Sequence, residues 1–227
     1  AVQAVEMVAT VPAATACCPS ACWTCASSPS RVCDGLKGGK LTEDRVSGEV
    51  VYAGKFFQVH RDVVRLPDGA QAVRDYIRHP GAVAMVALTA QGDVILERQH
   101  RYPLARDFVE IPAGKVDAGE THLATAKREL LEETGYVAAE WTRLGLIHNA
   151  IGYSDEGIEL WLATGLDKRE AKLDAEEFLE VFTLPFEEAL AMASDGRISD
   201  VKTIIGLFWT ASRRVAGPPP GGSAPEL

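Results

Sequence analysis

One short stretch of this chain concentrates negative charge around a predicted helix. Residues 114–136 read GKVDAGETHLATAKRELLEETGY, with Glu120 ahead of the helix and Glu129, Glu132 and Glu133 within it. Positions three and four apart lie on one helix face, so the last three carboxylates crowd a single stripe, where each like-charge pair destabilises the helix by roughly 0.2–0.5 kcal/mol. A hard divalent cation with oxygen ligands reverses that sign, and Mg²⁺ fits a solvent-facing cluster of this kind. The segment therefore predicts a metal site.

The rest of the segment predicts how this helix is held. Leu123, Ala126 and Leu130 recur at helical spacing on another face and are predicted to pack against a core. Gly135 stands where a left-handed C-terminal residue belongs, and Gly114 opens the loop that turns into the helix. The simpler interpretation is a surface helix with a solvated acidic face, and the acidic residues alone do not exclude it.

The complete spacing pattern resembles a known motif. In order it is Gly, five residues, Glu, seven residues, Arg-Glu-Leu, one residue, Glu-Glu, one residue and Gly, which resembles the Nudix box. The last place departs mildly, with Tyr136 where an aliphatic residue is commoner. Resemblance to the Nudix hydrolases implies an α+β fold, an α/β/α sandwich with a mixed β-sheet, and an enzyme that hydrolyses a nucleoside diphosphate linked to another moiety.

The resemblance also implies roles for the motif residues. Glu129 and Glu133 take the place of the main metal ligands and catalytic carboxylates, assisted by Glu132 and the backbone carbonyl of Ala113. The expected ion is Mg²⁺, with Mn²⁺ as a substitute. The remaining fixed positions take structural roles: Gly114, Glu120, Arg128 and Gly135. Among them, Glu120 and Arg128 are expected to pair and to brace the loop.

Apolar alternation outside the motif predicts the order of the other elements. A small antiparallel β-meander is predicted at residues 45–53, 56–66 and 70–78. Later strands are predicted at residues 82–88, 93–99, 141–148, 157–163 and 178–184, and helices at 185–196 and 200–215. A meander ahead of a mixed α/β unit resembles the ADP-ribose pyrophosphatase branch of the family. That resemblance implies ADP-ribose or a close ADP-sugar as substrate, and a homodimer whose N-terminal sheets are swapped.

The same patterns divide the chain into four predicted parts. They are a Cys-rich extension expected to be disordered (1–40), an antiparallel sheet for dimerisation (41–79), a Nudix hydrolase domain (80–215) and a disordered tail (216–227). The five cysteines all fall in the first part: Cys17, Cys18, Cys22, Cys25 and Cys33. The CWTC spacing within them leaves a zinc knuckle or a redox pair as an alternative to disorder.

Three positions outside the motif match functional positions of this branch. Arg101 resembles the arginine that contacts the diphosphate, a role that suits its planar fork, although a solvated strand-end arginine is the alternative. Arg78, at the exit of the meander, is expected to contact substrate across the dimer. Glu177 takes the place of the catalytic glutamate that accepts a proton from a metal-bound water, with Glu176 as the alternative.

Residues 152–156, GYSDE, resemble the turn that lies against the substrate in this branch, which makes Ser154, Asp155 and Glu156 candidates for substrate binding. Just before it, Ile151 stands where the branch commonly has a proline. Another nucleotide sugar or a dinucleoside polyphosphate therefore stays open as the substrate. A non-catalytic ADP-ribose-binding sensor is the alternative from a different class.

Three aromatic residues lie on the predicted meander: Phe56, Phe57 and Tyr76. They are interpreted as core residues. An aromatic ring that faces outward at the dimer cleft would instead stack on adenine.

Charge and hydropathy exclude several other classes. A formal net charge of -9 argues against a nucleic-acid partner, because duplex binding relies on Lys and Arg. The longest apolar stretch, at residues 81–90, falls short of the ~20 residues that span a bilayer, so no membrane partner is predicted. Residues 1–16 carry Glu6 and no basic leader, which predicts a cytoplasmic location.

Overall fold

A computed structural model describes residues 41–171 and 178–216. The strands of this part are β1 (Asp44–Ala53), β2 (Gln58–Arg65), β3 (Gln71–Arg78), β4 (Ala82–Ala87), β5 (Asp93–Arg101), β6 (Arg106–Glu110), β7 (Ala113–Lys115), β8 (Tyr136–His148), β9 (Gly157–Lys168) and β10 (Leu179–Pro185). The helices are α1 (His122–Thr134), α2 (Phe186–Asp195) and α3 (Val201–Ala216). The predicted extension with its cysteines and the predicted tail lie outside the described residues.

The central sheet is mixed, with the strand order β7-β4-β9-β8. β4 and β9 are parallel, while β7 and β8 join them as antiparallel strands. Every residue of β4 is buried, because the strand is covered on both faces. That is why its sequence is a continuous apolar run rather than an alternating one.

Two helical layers cover the central sheet. Val83 of β4 packs in one cluster with Ala126 and Leu130 of α1. The next residue, Ala84, points to the other face and packs in a second cluster with Leu207 of α3. Alternate residues of a strand face opposite sides, so one short strand supplies both cores. The predicted α/β/α sandwich with a mixed sheet is confirmed.

Two further sheets are antiparallel throughout. One has the order β10-β5-β6, and the other is the predicted N-terminal meander, with the order β1-β2-β3. The meander is joined to the rest of the protein where Ile77 bridges Ser154 and where Arg78 bonds Asp155. β1 is exposed along its whole length.

Some predicted element boundaries are wrong. The second meander strand begins at Gln58 rather than at residue 56, because Gly54 N–H bonds Phe57 O and closes a turn there. β8 and β9 are longer than predicted, since they pair with one another from Tyr136↔Lys168 to His148↔Gly157. Within the described residues, no helix is long and apolar enough to cross a membrane.

Candidate active site

Helix α1 has a defined start and end, which fixes the direction of its acidic face. Thr121 is the N-cap, and its side-chain oxygen accepts a hydrogen bond from the Ala124 N–H at 3.2 Å. Gly135 ends the helix in the left-handed conformation with φ 69°, and its N–H bonds the carbonyl of Leu131. Leu130 is fully buried in the core. The carboxylates on the neighbouring face are therefore held over the loop that precedes the helix.

Arg128 lies among the acidic side chains and bonds three of them. Its Nη2 lies 3.0 Å from Oε2 of Glu120, and its Nε donates to the same carboxylate. Its Nη1 donates to Oε1 of Glu129 at 2.9 Å and to Oε2 of Glu132 at 3.0 Å. The hydrogen bond with Glu120 is the largest cause that raises the pKa of Arg128 above its usual value. Glu120 and Arg128 together connect the loop to the helix.

Glu133 turns inward, away from Arg128. It is 6% exposed, and its Oε2 accepts the backbone N–H of Ala113 at 3.1 Å. Beside it on β5 lies Glu97, which is 3% exposed and interacts electrostatically with Glu133. Burial raises the pKa of Glu97 to about 8, although the positive charge of Lys202 opposes the rise. The base of the site is thus a group of buried ionisable side chains.

The acidic side chains of α1, Glu129, Glu132 and Glu133, open onto a cavity of about 540 Å³. The motif side is formed by Ala113, Gly114, Arg128, Glu129, Glu132 and Glu133. The other sides are formed by Phe56, His79, Gln99, Arg101, Glu110, Lys115, Asn149, Glu156, Asp200 and Lys202, among others. The meander, the central sheet, α1 and α3 all contribute to this one cavity.

Arg101 reaches the cavity from the end of β5. Its Nε and Nη2 each donate to Glu110 at 2.7 Å, which forms a bidentate pair. Burial opposes the ionisation of Glu110, but the bonds from Arg101 and the charge of Lys202 hold its pKa below the usual value. A cationic fork therefore lies in the same cavity as the carboxylates of α1.

The residues of the predicted substrate turn fall into two groups, one in the cavity and one against the meander. Glu156 lines the cavity. Asp155 accepts Arg78 Nη1 at 2.8 Å and the His79 N–H at 2.9 Å, and Ser154 bridges Ile77. Ser154 and Asp155 therefore hold the turn against the meander. Arg78 lines a second depression, of about 300 Å³, rather than the main cavity, and Glu177 lies outside the described residues.

Phe56 is not a core residue. It is 49% exposed, lies in the turn between β1 and β2, and lines the cavity. Its ring lies 5.0 Å from Nζ of Lys115 and contacts His79 edge-on. Tyr76, in contrast, donates to the buried Asp62 at 3.0 Å within the meander. The interpretation of Phe56 as a core side chain is wrong.

The donor set of the cavity fits a hard divalent cation. In the described part of the chain, no three acidic, histidine or cysteine side chains already form a metal site. Glu129 and Glu132 nevertheless direct an oxygen each to one cationic nitrogen of Arg128, and Glu133 lies beside Ala113 in the same cavity. Carboxylate and carbonyl oxygens are the ligands that Mg²⁺ and Mn²⁺ prefer.

Gly114 is required because Glu129 lies against it. An added Cβ at this position would come within 1.9 Å of Cδ of Glu129. We expect Gly114→Ala to displace that carboxylate and to lower kcat/KM by roughly 10- to 100-fold. The melting temperature should change little, because a flexible side chain rather than the backbone gives way. Gly196→Ala is the activity control for an added methyl, since nothing lies within 4 Å of its Cβ and Gly196 lies outside both the motif and the predicted substrate turn. Equal activity of the two variants would contradict this role.

The buried carboxyl of Glu97 predicts a pH dependence of stability. Its pKa is about 8 in the folded protein against 4.5 as an unperturbed group, so the folded state holds the proton more tightly. Glu97 should therefore lower the free energy of unfolding as the pH rises from about 5 to about 8. We expect Glu97→Gln to remove this loss in urea titrations without divalent ions. Glu187→Gln, at an 82% exposed side chain, should leave the slope unchanged. The same slope in Glu97→Gln and the wild type would contradict this account.

Three ionisable residues around the base of the cavity are not predicted as site residues from the sequence: Glu97, Glu110 and Lys202. Each occupies a position where periodicity predicts a buried side chain. Glu97 and Glu110 lie in apolar strand segments, and Lys202 lies on the buried stripe of α3 with Leu207. A charged residue at such a position is the available signal, because buried charges need a partner.

Comparison with known proteins matches two family models to this chain. The NUDIX domain model matches residues 78–204, and a nucleoside diphosphate sugar hydrolase N-terminal domain model matches residues 43–77. The "Methanol dehydrogenase activator" of Bacillus methanolicus is 41% identical over 170 residues, which cover 74% of this chain and 92% of the relative. The "ADP-ribose pyrophosphatase" of Bacillus subtilis (strain 168) is 40% identical over 165 residues, which cover 72% and 89%.

A solved structure shares the fold. The crystal structure of an ADP compounds hydrolase superposes with a TM-score of 0.70 at 20% identity, over 79% of this chain and 98% of the other. The motif on α1, the two matched models and the two relatives agree with this fold. This chain therefore belongs to the NUDIX domain family.

Proposed function

We propose that this protein hydrolyses the diphosphate of ADP-ribose or a related ADP-sugar, giving AMP and a sugar phosphate. The observation that supports this most is that Arg101 and the carboxylates of α1 line one cavity. A diphosphate carries negative oxygens that need cations on more than one side. The name of the Bacillus subtilis relative supports the choice of ADP-ribose.

The proposed ion is Mg²⁺, with Mn²⁺ as a substitute. Glu129, Glu132, Glu133 and the Ala113 carbonyl would hold it. When bound, such an ion neutralises phosphate charge and acidifies a water molecule. Arg128 keeps the carboxylates in place through its bond to Glu120 at the other side of the guanidinium.

Two residues of the chain are proposed to act directly on the substrate. Arg101 presents a planar fork to the diphosphate, and Glu177 accepts the proton of the attacking water. A Glu177→Gln variant with the wild-type kcat would remove the second assignment.

We propose that the nucleoside lies at the Phe56 end of the cavity. Phe56 is exposed there, and its ring lies near the charged end of Lys115. An aromatic ring in this place can stack on adenine, a contact worth about 1–3 kcal/mol by analogy with base stacking. This ring comes from the turn between β1 and β2, so the meander contributes to the substrate site as well as to the fold.

We propose that the meander (41–79) also joins two copies of the chain into a swapped homodimer around the hydrolase domains (80–215). Exposed apolar residues on the meander support this: Val46, Val50, Val51, Tyr52 and Val73. Light scattering during size exclusion should give twice the mass of the chain, and a monomer at micromolar concentration would contradict it. Arg78 is proposed to contact substrate across this dimer. We also propose that the protein is located in the cytoplasm.

Product analysis tests the proposed activity. The full chain is incubated with ADP-ribose, with and without Mg²⁺, and AMP is separated from ribose 5-phosphate. We expect AMP only when the divalent ion is present. No AMP under any metal condition would overturn the proposal, and tight binding without AMP would identify a sensor.

A substrate panel separates the remaining alternatives. Ile151, which stands in place of the branch's common proline, is 85% exposed and favours testing other nucleotide sugars and dinucleoside polyphosphates beside ADP-ribose. Two relatives of almost equal identity carry different names, so hydrolysis is measured directly on the purified protein. The highest kcat/KM in the panel identifies the substrate.

A further inference from the structure

Arg101 is fixed by a carboxylate on the neighbouring strand. Its Nε donates to Oε1 of Glu110 and its Nη2 to Oε2, both at 2.7 Å. These bonds use two of the five guanidinium N–H groups. The side chain of Arg101 is 43% exposed and lines the cavity, so the other edge of the fork is left for an anionic ligand.

Glu110 in turn has a second cation. Its Oε2 also accepts a hydrogen bond from Nζ of Lys202. Glu110 is 3% exposed and Lys202 is 7% exposed, so both charges have lost most of their water. A buried charge that loses its partner is strongly unfavourable. Lys202 thus compensates the carboxylate on which the position of Arg101 depends.

The first turn of α3 holds Lys202 in this place. Asp200 caps the helix by accepting the Thr203 N–H at 3.0 Å, and it lies 3.1 Å from Nζ of Lys202. The hydroxyl of Thr203 accepts the N–H of Ile111 at 2.9 Å, directly after Glu110. Two adjacent residues of α3 are therefore joined to two adjacent residues at the end of β6.

We propose that Lys202 is a positioning residue, which sets the depth of the Arg101 fork in the cavity through Glu110. This inference rests on the proposed function, in which Arg101 binds the diphosphate. Without Lys202, Glu110 would have Arg101 as its remaining cationic partner and would draw the guanidinium inward. The fork would then be less available to the substrate, while the contacts of Arg128 with Glu129 and Glu132 on α1 would remain. The expected effect is on substrate affinity more than on kcat.

A double-mutant cycle tests this dependence. We expect Lys202→Met to raise the KM for ADP-ribose about tenfold, with kcat within about threefold of the wild type. In an Arg101→Ala background the same change should raise KM by less than about twofold, because the residue that it positions is gone. Lys202→Arg, which retains the charge, should restore most of the affinity. Lys127→Met, at an exposed position of α1, is the matched control and should leave KM unchanged.

Two outcomes would overturn the proposal. One is an equal KM increase from Lys202→Met with and without Arg101, and the other is a loss confined to kcat. Glu110→Gln keeps the shape of the link but removes the charge that fixes the guanidinium of Arg101, so the fork loses its position and KM should rise about as much as in Lys202→Met. A wild-type KM in Glu110→Gln also overturns the proposal, even where Lys202→Met fails to fold.

The proposed function is judged separately. AMP release by the wild-type protein decides it. The cycle is also measured by calorimetric binding of ADP-ribose, which requires no hydrolysis. If the effects of Lys202→Met and Arg101→Ala on binding are independent, only the proposed role of Lys202 is contradicted. The proposed hydrolysis is not affected by that result.

Discussion

Replacing Glu133 by Gln is expected to lower kcat by roughly 10³-fold while the protein stays folded. The amide has almost the same size and can still accept the N–H of Ala113, which Glu133 accepts at 3.1 Å. It lacks the negative charge that the proposed divalent ion requires. Glu133 is 6% exposed, so removing its charge should not destabilise the protein and its melting temperature should not fall.

Two measurements separate a loss of charge from a loss of structure. Turnover of ADP-ribose is followed over a series of Mg²⁺ concentrations, and Mn²⁺ binding is measured by calorimetry in the absence of substrate. Glu187→Gln is the matched control, because that residue is 82% exposed and its salt-bridge partner is Arg214, on α3. If Glu133→Gln kept wild-type kcat and Mn²⁺ affinity, Glu133 would not be a ligand.

The layers of the fold could be predicted because they follow local rules. The apolar run of β4 indicates a strand covered on both faces, and the spacing of Ala126 and Leu130 gives the buried face of α1. Gly135 marks the end of that helix, because the left-handed conformation at its C-terminus favours glycine. Each of these features depends on residues close in sequence.

The cavity could be predicted only in part because its other sides depend on long-range pairing. Glu110 meets Lys202 across 92 positions of the chain, and no local pattern links them. Asp155 is the opposite case, a residue that is predicted to line the cavity but is held elsewhere by long-range contacts. Its resemblance to a substrate residue predicts a place in the cavity, but it accepts Arg78 and the His79 N–H across 77 and 76 positions. The tertiary pairing decides which polar residue of a turn faces the ligand.

Phe56 shows a second limit, which is set by a turn. Its aromatic character and its neighbours favour a strand and a buried ring. The bond from Gly54 N–H to Phe57 O instead places it in a turn, where it lines the cavity. A shift of a strand boundary by two residues thus changes a core residue into a candidate substrate contact.

Gly135→Ala, at the C-cap of α1, is expected to destabilise the protein strongly. The residue has φ +69°, where an Ala is less stable by about 1–2 kcal/mol. Its Cβ would also lie 2.9 Å from the carbonyl oxygen of Arg169 and 2.9 Å from the N of Ala171, both backbone atoms that cannot rotate away. The Arg169 N–H bonds the Gly135 carbonyl, so this contact is part of the fold. Together these effects should lower the free energy of unfolding by roughly 2–5 kcal/mol.

Gly196→Ala separates the two causes. Gly196 ends α2 in the same left-handed conformation, with φ +85°, but nothing lies within 4 Å of its added Cβ. It should therefore lose only the conformational part, about 1–2 kcal/mol. Urea titrations of both variants give their losses in the free energy of unfolding. The difference between the two losses measures the backbone collision at the end of α1. Equal losses in the two variants would mean that the segment after β9 moves aside, and that the approach of Arg169 and Ala171 to the end of α1 does not require glycine.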